Sequence, residues 1–170
     1  IVSSLTFIAS VNAIKYVGAE PILVDAEESS WQMDTELVEE FLQKDCYKKE
    51  NSSFHKKSNK KVAAIIPVHI LGHSCDIIKL KDISSTFNIP IIEDAAEAVG
   101  VITENKHLGS FGLVGCFSFN GNKTITSGSG GMVVTNSKKI ADKLKFLSEQ
   151  AKSSGLEYIH SEIGYNYRMS

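Results

Sequence analysis

The feature that most constrains this chain is an alternation of two kinds of segment. Short runs rich in β-branched residues, "PILVDAE" (21–27), "VAAIIPVHI" (62–70), "PIIEDAA" (90–96), "VGCFSF" (114–119) and "GMVVT" (131–135), read as strands. Most are continuously apolar, as strands covered on both faces must be. Between them Phe7–Val17, Asp34–Leu42, Ile77–Phe87 and Ser137–Gln150 carry apolar residues at helical spacing. In the last of these Ile140, Leu144 and Leu147 form the stripe and lysines face away. Asp34 and Ser137 are the expected N-caps, and Gly18 is expected to end the first helix. Strand, helix, strand repeated in this way predicts an α/β fold, with a mainly parallel sheet between helices.

Composition sets few further bounds. The 170 residues suffice for one domain with a real core, and 42% hydrophobic with 22% charged residues is the balance of a soluble globular protein. A net charge of -2 gives no electrostatic reason to expect a nucleic acid or a membrane surface as partner. Cys46, Cys75 and Cys116 lack CxxC spacing and read as reduced thiols of a cytoplasmic protein, with no disulfide framework and no metal site. No apolar run reaches the length of a membrane span, and no signal-peptide pattern is present. Residues 43–61, with seven lysines and no aliphatic residue, are expected to be a solvated insertion. The first residues, "IVSSLTF", read as the end of a strand without a methionine, and "GYNYRMS" adds no closing element. An internal piece of a longer protein is therefore expected.

In an open parallel sheet, ligands bind beyond the carboxyl ends of the strands. The residues there are Asp25, His69, Asp94 with Glu97, and Ser118 through Lys123. Alternation sends Glu93 and Asp94 to opposite faces, so only one of them can serve a given ligand. A carboxylate in that position needs compensation, from a magnesium ion, a protonated nitrogen heterocycle or a structural hydrogen bond. His69 and His73 read as ordinary turn residues, and Trp31 and Met33 as packing for the loop before the second helix.

Lys123, within "FSFNGNKTITSGSGG" (117–131), is the most informative of these residues. A phosphate-binding P-loop needs glycines where this chain has Asn122 and Phe117, so that motif fails twice. A Schiff-base lysine needs a carbonyl partner and a water-poor setting, which the end of an apolar strand supplies. A pyridine cofactor would need an acid at its ring nitrogen, for which Asp94 is placed, and a phosphate contact, for which Ser118 is available.

"EDAAEAVG" followed by "GSFGLVGCFSFNGNKTITSGSGGMVVT" closely resembles the DegT/DnrJ/StrS family of pyridoxal-phosphate-dependent nucleotide-sugar aminotransferases. "LTFIASVNAIKYVGAEPILVD", "IIPVHILGHSCDI" and "GYNYRMS" extend the resemblance almost end to end. "FNGNKTITSGSGG", the lysine-rich insertion and "EQAKSSGLEYIHSEIGYNYR" look most like the subgroup acting on UDP-linked 4-keto-6-deoxy sugars, in bacillosamine or legionaminic acid pathways.

The resemblance implies the central part of a fold-type I large domain over residues 1–170, without its N-terminal start and its C-terminal small domain. It implies pyridoxal 5'-phosphate as cofactor, glutamate as amino donor and a homodimer. Lys123 would be the covalent anchor and proton shuttle, Asp94 the partner of the ring nitrogen and Ser118 the phosphate ligand. Phe7 would stack on the cofactor ring. Glu97 stands where the family more often has glutamine or histidine near the phenolic oxygen. Arg168 or Asn166 would reach the neighbouring subunit's cofactor. The 170-residue piece alone is expected to be inactive. A relative that binds the cofactor and senses without transferring is the alternative.

Overall fold

The computed structural model describes residues 1–153 and 157–168. Residues 154–156 of "EQAKSSGLEYIHSEIGYNYR" and the last two of "GYNYRMS" lie outside these. The strands are β1 (Val2–Ser3), β2 (Leu23–Val24), β3 (Cys46–Lys49), β4 (Ser52–His55), β5 (Ile92–Asp94), β6 (Ile102–Thr103), β7 (Lys106–His107), β8 (Val114–Ser118) and β9 (Gly131–Val134). The helices are α1 (Ile8–Tyr16), α2 (Thr35–Lys44), α3 (Ile77–Phe87) and α4 (Lys138–Ser148).

A central sheet runs through the molecule in the order β2, β1, residues 65–68, β5, β8, β9. β1 pairs in parallel with β2, and β5 with β8. The run expected as a strand at 62–70 joins them through single parallel bridges, Val2 to Ile66, Ile65 to Ile91 and Val68 to Asp94. Only β9 is antiparallel, in register Gly115 to Val134 through Ser118 to Gly131.

Alternation decides which face each residue serves. Ile65, Ile91 and Ala95 point into a core shared with Val38 and Leu42 of α2 and Leu80 and Ile83 of α3. Each fully buried aliphatic side chain there contributes about 2 kcal/mol. The helices begin where the sequence places their caps. Asp34 accepts hydrogen bonds from the Glu36 and Leu37 amides at 2.8 and 3.2 Å, and Ser137 from Ile140 at 3.4 Å. Gly18, at φ 73°, follows α1, and its amide donates to Lys15 O. The stripe of α4 is half-buried, with no residue of that helix fully enclosed.

One expectation gains detail and another needs correcting. Within the stretch 43–61, Gln43 and Lys44 close α2, and residues 46–55 form an ordered antiparallel hairpin, β3–β4, turning through Glu50 and Asn51, both at positive φ. All its lysines are exposed, but Cys46 and Ser53 are buried, and Ser53 Oγ donates to Phe87 O at 2.8 Å. This one-sided hairpin needs only two small inward residues, so the lysine count hides it. Trp31 does not pack the loop before α2: it is 62% exposed at φ 62°, whereas Met33 is buried.

Candidate functional site

Five residues singled out from the sequence line one cavity of about 440 Å³: Phe7, Asp94, Glu97, Ser118 and Lys123. A second hollow of about 190 Å³ adjoins it, sharing Phe7, Asp94, Glu97 and Lys123 and reaching Leu5, Val68 and Ile70. Asp94 and Ser118 are the last residues of β5 and β8, so the site lies at the carboxyl ends of parallel strands.

Asp94 is held on all sides. Its amide donates to Pro67 O at 2.9 Å, and its carbonyl accepts from the His69 amide at 3.0 Å. Its Oδ2 accepts from Ser10 Oγ at 2.6 Å, and Oδ1 from the Ala96 amide at 3.1 Å. Ser10 Oγ in turn lies 2.9 Å from Thr6 Oγ1, one helical turn earlier. Sequence reasoning missed Ser10. Its signal was the four-residue spacing from Thr6 across the start of α1, which aims both hydroxyls the same way.

Glu93 faces the other way and is fully buried. Its carboxylate accepts from the Gly109 amide at 2.7 Å, the Gly112 amide at 2.6 Å and His69 Nε2 at 3.1 Å. The Cys75 amide donates to His69 Nδ1 at 3.4 Å, which leaves Nε2 as the nitrogen that faces Glu93. Burial pushes the Glu93 pKa up, but His69 and the two glycine amides more than offset it, and the carboxyl sits below its usual range. Gly115 lets this arrangement form, because a Cβ there would lie 1.8 Å from Gly109 O. His69 is thus no ordinary turn residue but half of a buried pair.

Lys123 rides on the loop between β8 and β9. That loop is tied at its base by Phe119 N to Gly130 O and Ser127 N to Phe119 O, each 3.0 Å, while the Lys123 amide donates to Asn120 O. Gly128 and Gly130 adopt φ 85° and 101°, and a Cβ on Gly131 would lie 2.6 Å from Phe117 O. These glycines therefore serve the return of the chain into β9. Lys123 Nζ lies 3.2 Å from Glu97 Oε1, and the lysine side chain is only 15% exposed. Glu97 Oε2 accepts from the Leu71 amide at 2.8 Å. The Leu71 amide first, and Lys123 after it, hold the Glu97 carboxyl below its ordinary value against partial burial.

Ser118 Oγ accepts from the Asn120 amide at 3.4 Å. Phe7, the N-cap of α1, is 77% exposed at the mouth of both hollows. Cys116 also lines the larger cavity. Burial, then the charges of Asp94 and Glu93, push its thiol pKa up to about 11. Arg168 and Asn166 do not join this group: both are exposed, and Asn166 pairs with Glu149 in a single antiparallel bridge.

Comparison with known proteins places this arrangement. The sequence profile of the DegT/DnrJ/EryC1/StrS aminotransferase family matches residues 1–170. The chain is 44% identical over 170 residues to the GDP-perosamine synthase of Escherichia coli O157:H7, covering 100% of this chain and 42% of that protein. It is 34% identical over 170 residues to the UDP-N-acetyl-3-dehydro-alpha-D-glucosamine 3-aminotransferase of Acidithiobacillus ferrooxidans, covering 99% and 41%. The crystal structure of a DegT DnrJ EryC1 StrS aminotransferase from Brucella abortus superposes with a TM-score of 0.88 at 32% identity, over 99% of this chain and 43% of that one. The chain thus spans about two fifths of the length of the relatives it matches.

Proposed function

The chain belongs to the DegT/DnrJ/EryC1/StrS aminotransferase family, and from that premise we propose that the full-length protein transfers an amino group from glutamate to a nucleotide-linked 4-keto-6-deoxy sugar. The observation that carries this reading is the convergence of Lys123, Asp94 and Ser118 on one cavity. The 4-keto position follows the likeness of "FNGNKTITSGSGG" to that subgroup. Because the relatives' names include both GDP- and UDP-linked sugars, the nucleotide is left to the assay.

The residues present fit pyridoxal phosphate, the family's cofactor. A primary amine and a carboxylate share one half-open cavity, a hydroxyl lies at a strand end, and an exposed aromatic ring stands at the mouth. When bound, this group supplies an aldehyde for amine exchange and a ring that withdraws electrons from the carbon losing its proton. Asp94, aimed by Ser10, accepts a hydrogen bond from the ring N–H and so keeps that proton in place. Lys123 Nζ would anchor the group and, as a free amine, would take and return the substrate proton. Glu97 holds that amine over the cavity. Ser118 Oγ donates to the phosphate, and Phe7 covers the ring and keeps water out. In a cytoplasmic homodimer, Arg168 or Asn166 reaches the neighbouring subunit's cavity.

The test uses purified full-length protein with pyridoxal phosphate, glutamate and 4-keto-6-deoxy sugars on UDP and on GDP. Wild type is expected to show the visible absorbance of lysine-bound cofactor, lost on borohydride reduction, and to yield an amino sugar by mass spectrometry. Lys123→Ala should lose the absorbance and at least about a thousandfold in rate. Covalent capture with no transfer to any keto sugar would favour a sensory protein, and retention of both signals in Lys123→Ala would overturn the assignment.

A further inference from the structure

The turn after His69 is held more firmly than a surface turn requires. Leu71, a γ-branched residue, sits at φ 54°, ψ 24°, a left-handed conformation that non-glycine residues adopt at a cost. Such backbone persists where its surroundings over-determine it, and it marks a site where placement matters. The surroundings here are specific. Gln32, 3% exposed and 38 residues away, grips the Ile70 peptide from both sides. Its Oε1 accepts from the Ile70 amide at 3.1 Å, and its Nε2 donates to Ile70 O at 3.3 Å. On the other flank His69 is fixed through Glu93. Gly72 packs so closely that a Cβ would meet Glu97 O at 2.9 Å. What the turn gains from this is the direction of one amide, Leu71 N–H, which donates to Glu97 Oε2 and leaves Oε1 for Lys123 Nζ.

We propose that Gln32 is a positioning residue for the amine site: by clamping Ile70 it keeps Leu71 left-handed, and so seats Glu97 against Lys123. The chain of contacts runs Gln32, Ile70, Leu71, Glu97, Lys123, and each link is a hydrogen bond or a shared peptide. This inference rests on the reading of Lys123 as the cofactor anchor. It goes beyond it by assigning work to a buried amide that touches neither cavity.

The experiment measures the rate of covalent capture of pyridoxal phosphate by cofactor-free full-length protein, followed by absorbance. Glu97→Gln is expected to slow capture about tenfold, and Gln32→Met about threefold. The decisive measurement is the double variant. If Gln32 acts through Glu97, adding Gln32→Met to Glu97→Gln changes the rate by less than about 1.5-fold. A purely structural Gln32 would slow both backgrounds equally, and that result overturns the proposal. Leu71→Gly, which adopts the left-handed conformation without strain, should restore the Gln32→Met rate to within about 1.5-fold of wild type; no restoration also overturns it. If Gln32→Met does not fold, Gln32→Glu keeps the acceptor for the Ile70 amide and enters the same cycle. Absence of capture by wild type would instead sink the reading of Lys123, a distinguishable failure.

Discussion

On the side of the sheet that meets α2 and α3, Ile65, Ile91, Glu93 and Ala95 are all buried, and the one charge among them has every oxygen hydrogen-bonded. On the opposite side Ile66, Ile92, Asp94, Cys116 and Ser118 are half-buried and line the cavity. The two sides are drawn from the same strands, one residue out of step. Glu93 and Asp94 are therefore chemically alike, adjacent in sequence and assigned to different tasks. One ties the strand to the 109–112 loop, and the other presents a carboxylate to the cavity.

The comparison can be broken by substitution. Glu93→Ala leaves two glycine amides and His69 Nε2 without an acceptor inside the core, and should cost about 3–5 kcal/mol in thermal unfolding of the full-length protein. Asp94→Asn keeps shape and the Ser10 contact. It should leave unfolding within about 1 kcal/mol of wild type while lowering amino transfer at least about a hundredfold in a glutamate-dependent assay. Equal effects of the two variants on both readouts would erase the distinction.

Acid sharpens the same contrast. The folded chain binds the Glu93 proton less readily than the unfolded chain does, because the folded pKa lies below the ordinary 4.5. Its stabilising contribution is therefore complete above about 4.5 and is lost as the pH falls through the lower folded value. A denaturant midpoint followed from pH 6 downward should fall in that window, and a flat profile would count against a charged, fully bonded Glu93. The smallest effect expected is that of Ser118→Ala, a roughly fivefold weaker grip on pyridoxal phosphate by equilibrium titration, with unfolding unchanged.

Much of this was legible in the residues themselves. Apolar runs ending in Asp94 and Ser118 and the capped helical stripes carry the α/β order, and the strand-end rule then points to the cavity. The parity of Glu93 and Asp94 was legible too, but not which of them turned inward, because that depends on the Gly109 and Gly112 amides, brought up by a loop packed against Gly115. His69 and Gln32 stayed hidden because their partners lie 24 and 38 residues away. The β3–β4 hairpin stayed hidden because only two small residues, Cys46 and Ser53, are buried on its inward side.

Cys116 carries one more consequence. A thiol beside a bound aldehyde is a rival nucleophile to the lysine, and it attacks as thiolate. With its pKa pushed up to about 11, that form is scarce at neutral pH. Burial first, and after it the same two carboxylates that brace the fold and line the cavity, therefore also confer chemoselectivity: they keep this sulfur protonated and favour nitrogen over sulfur as the partner for a carbonyl.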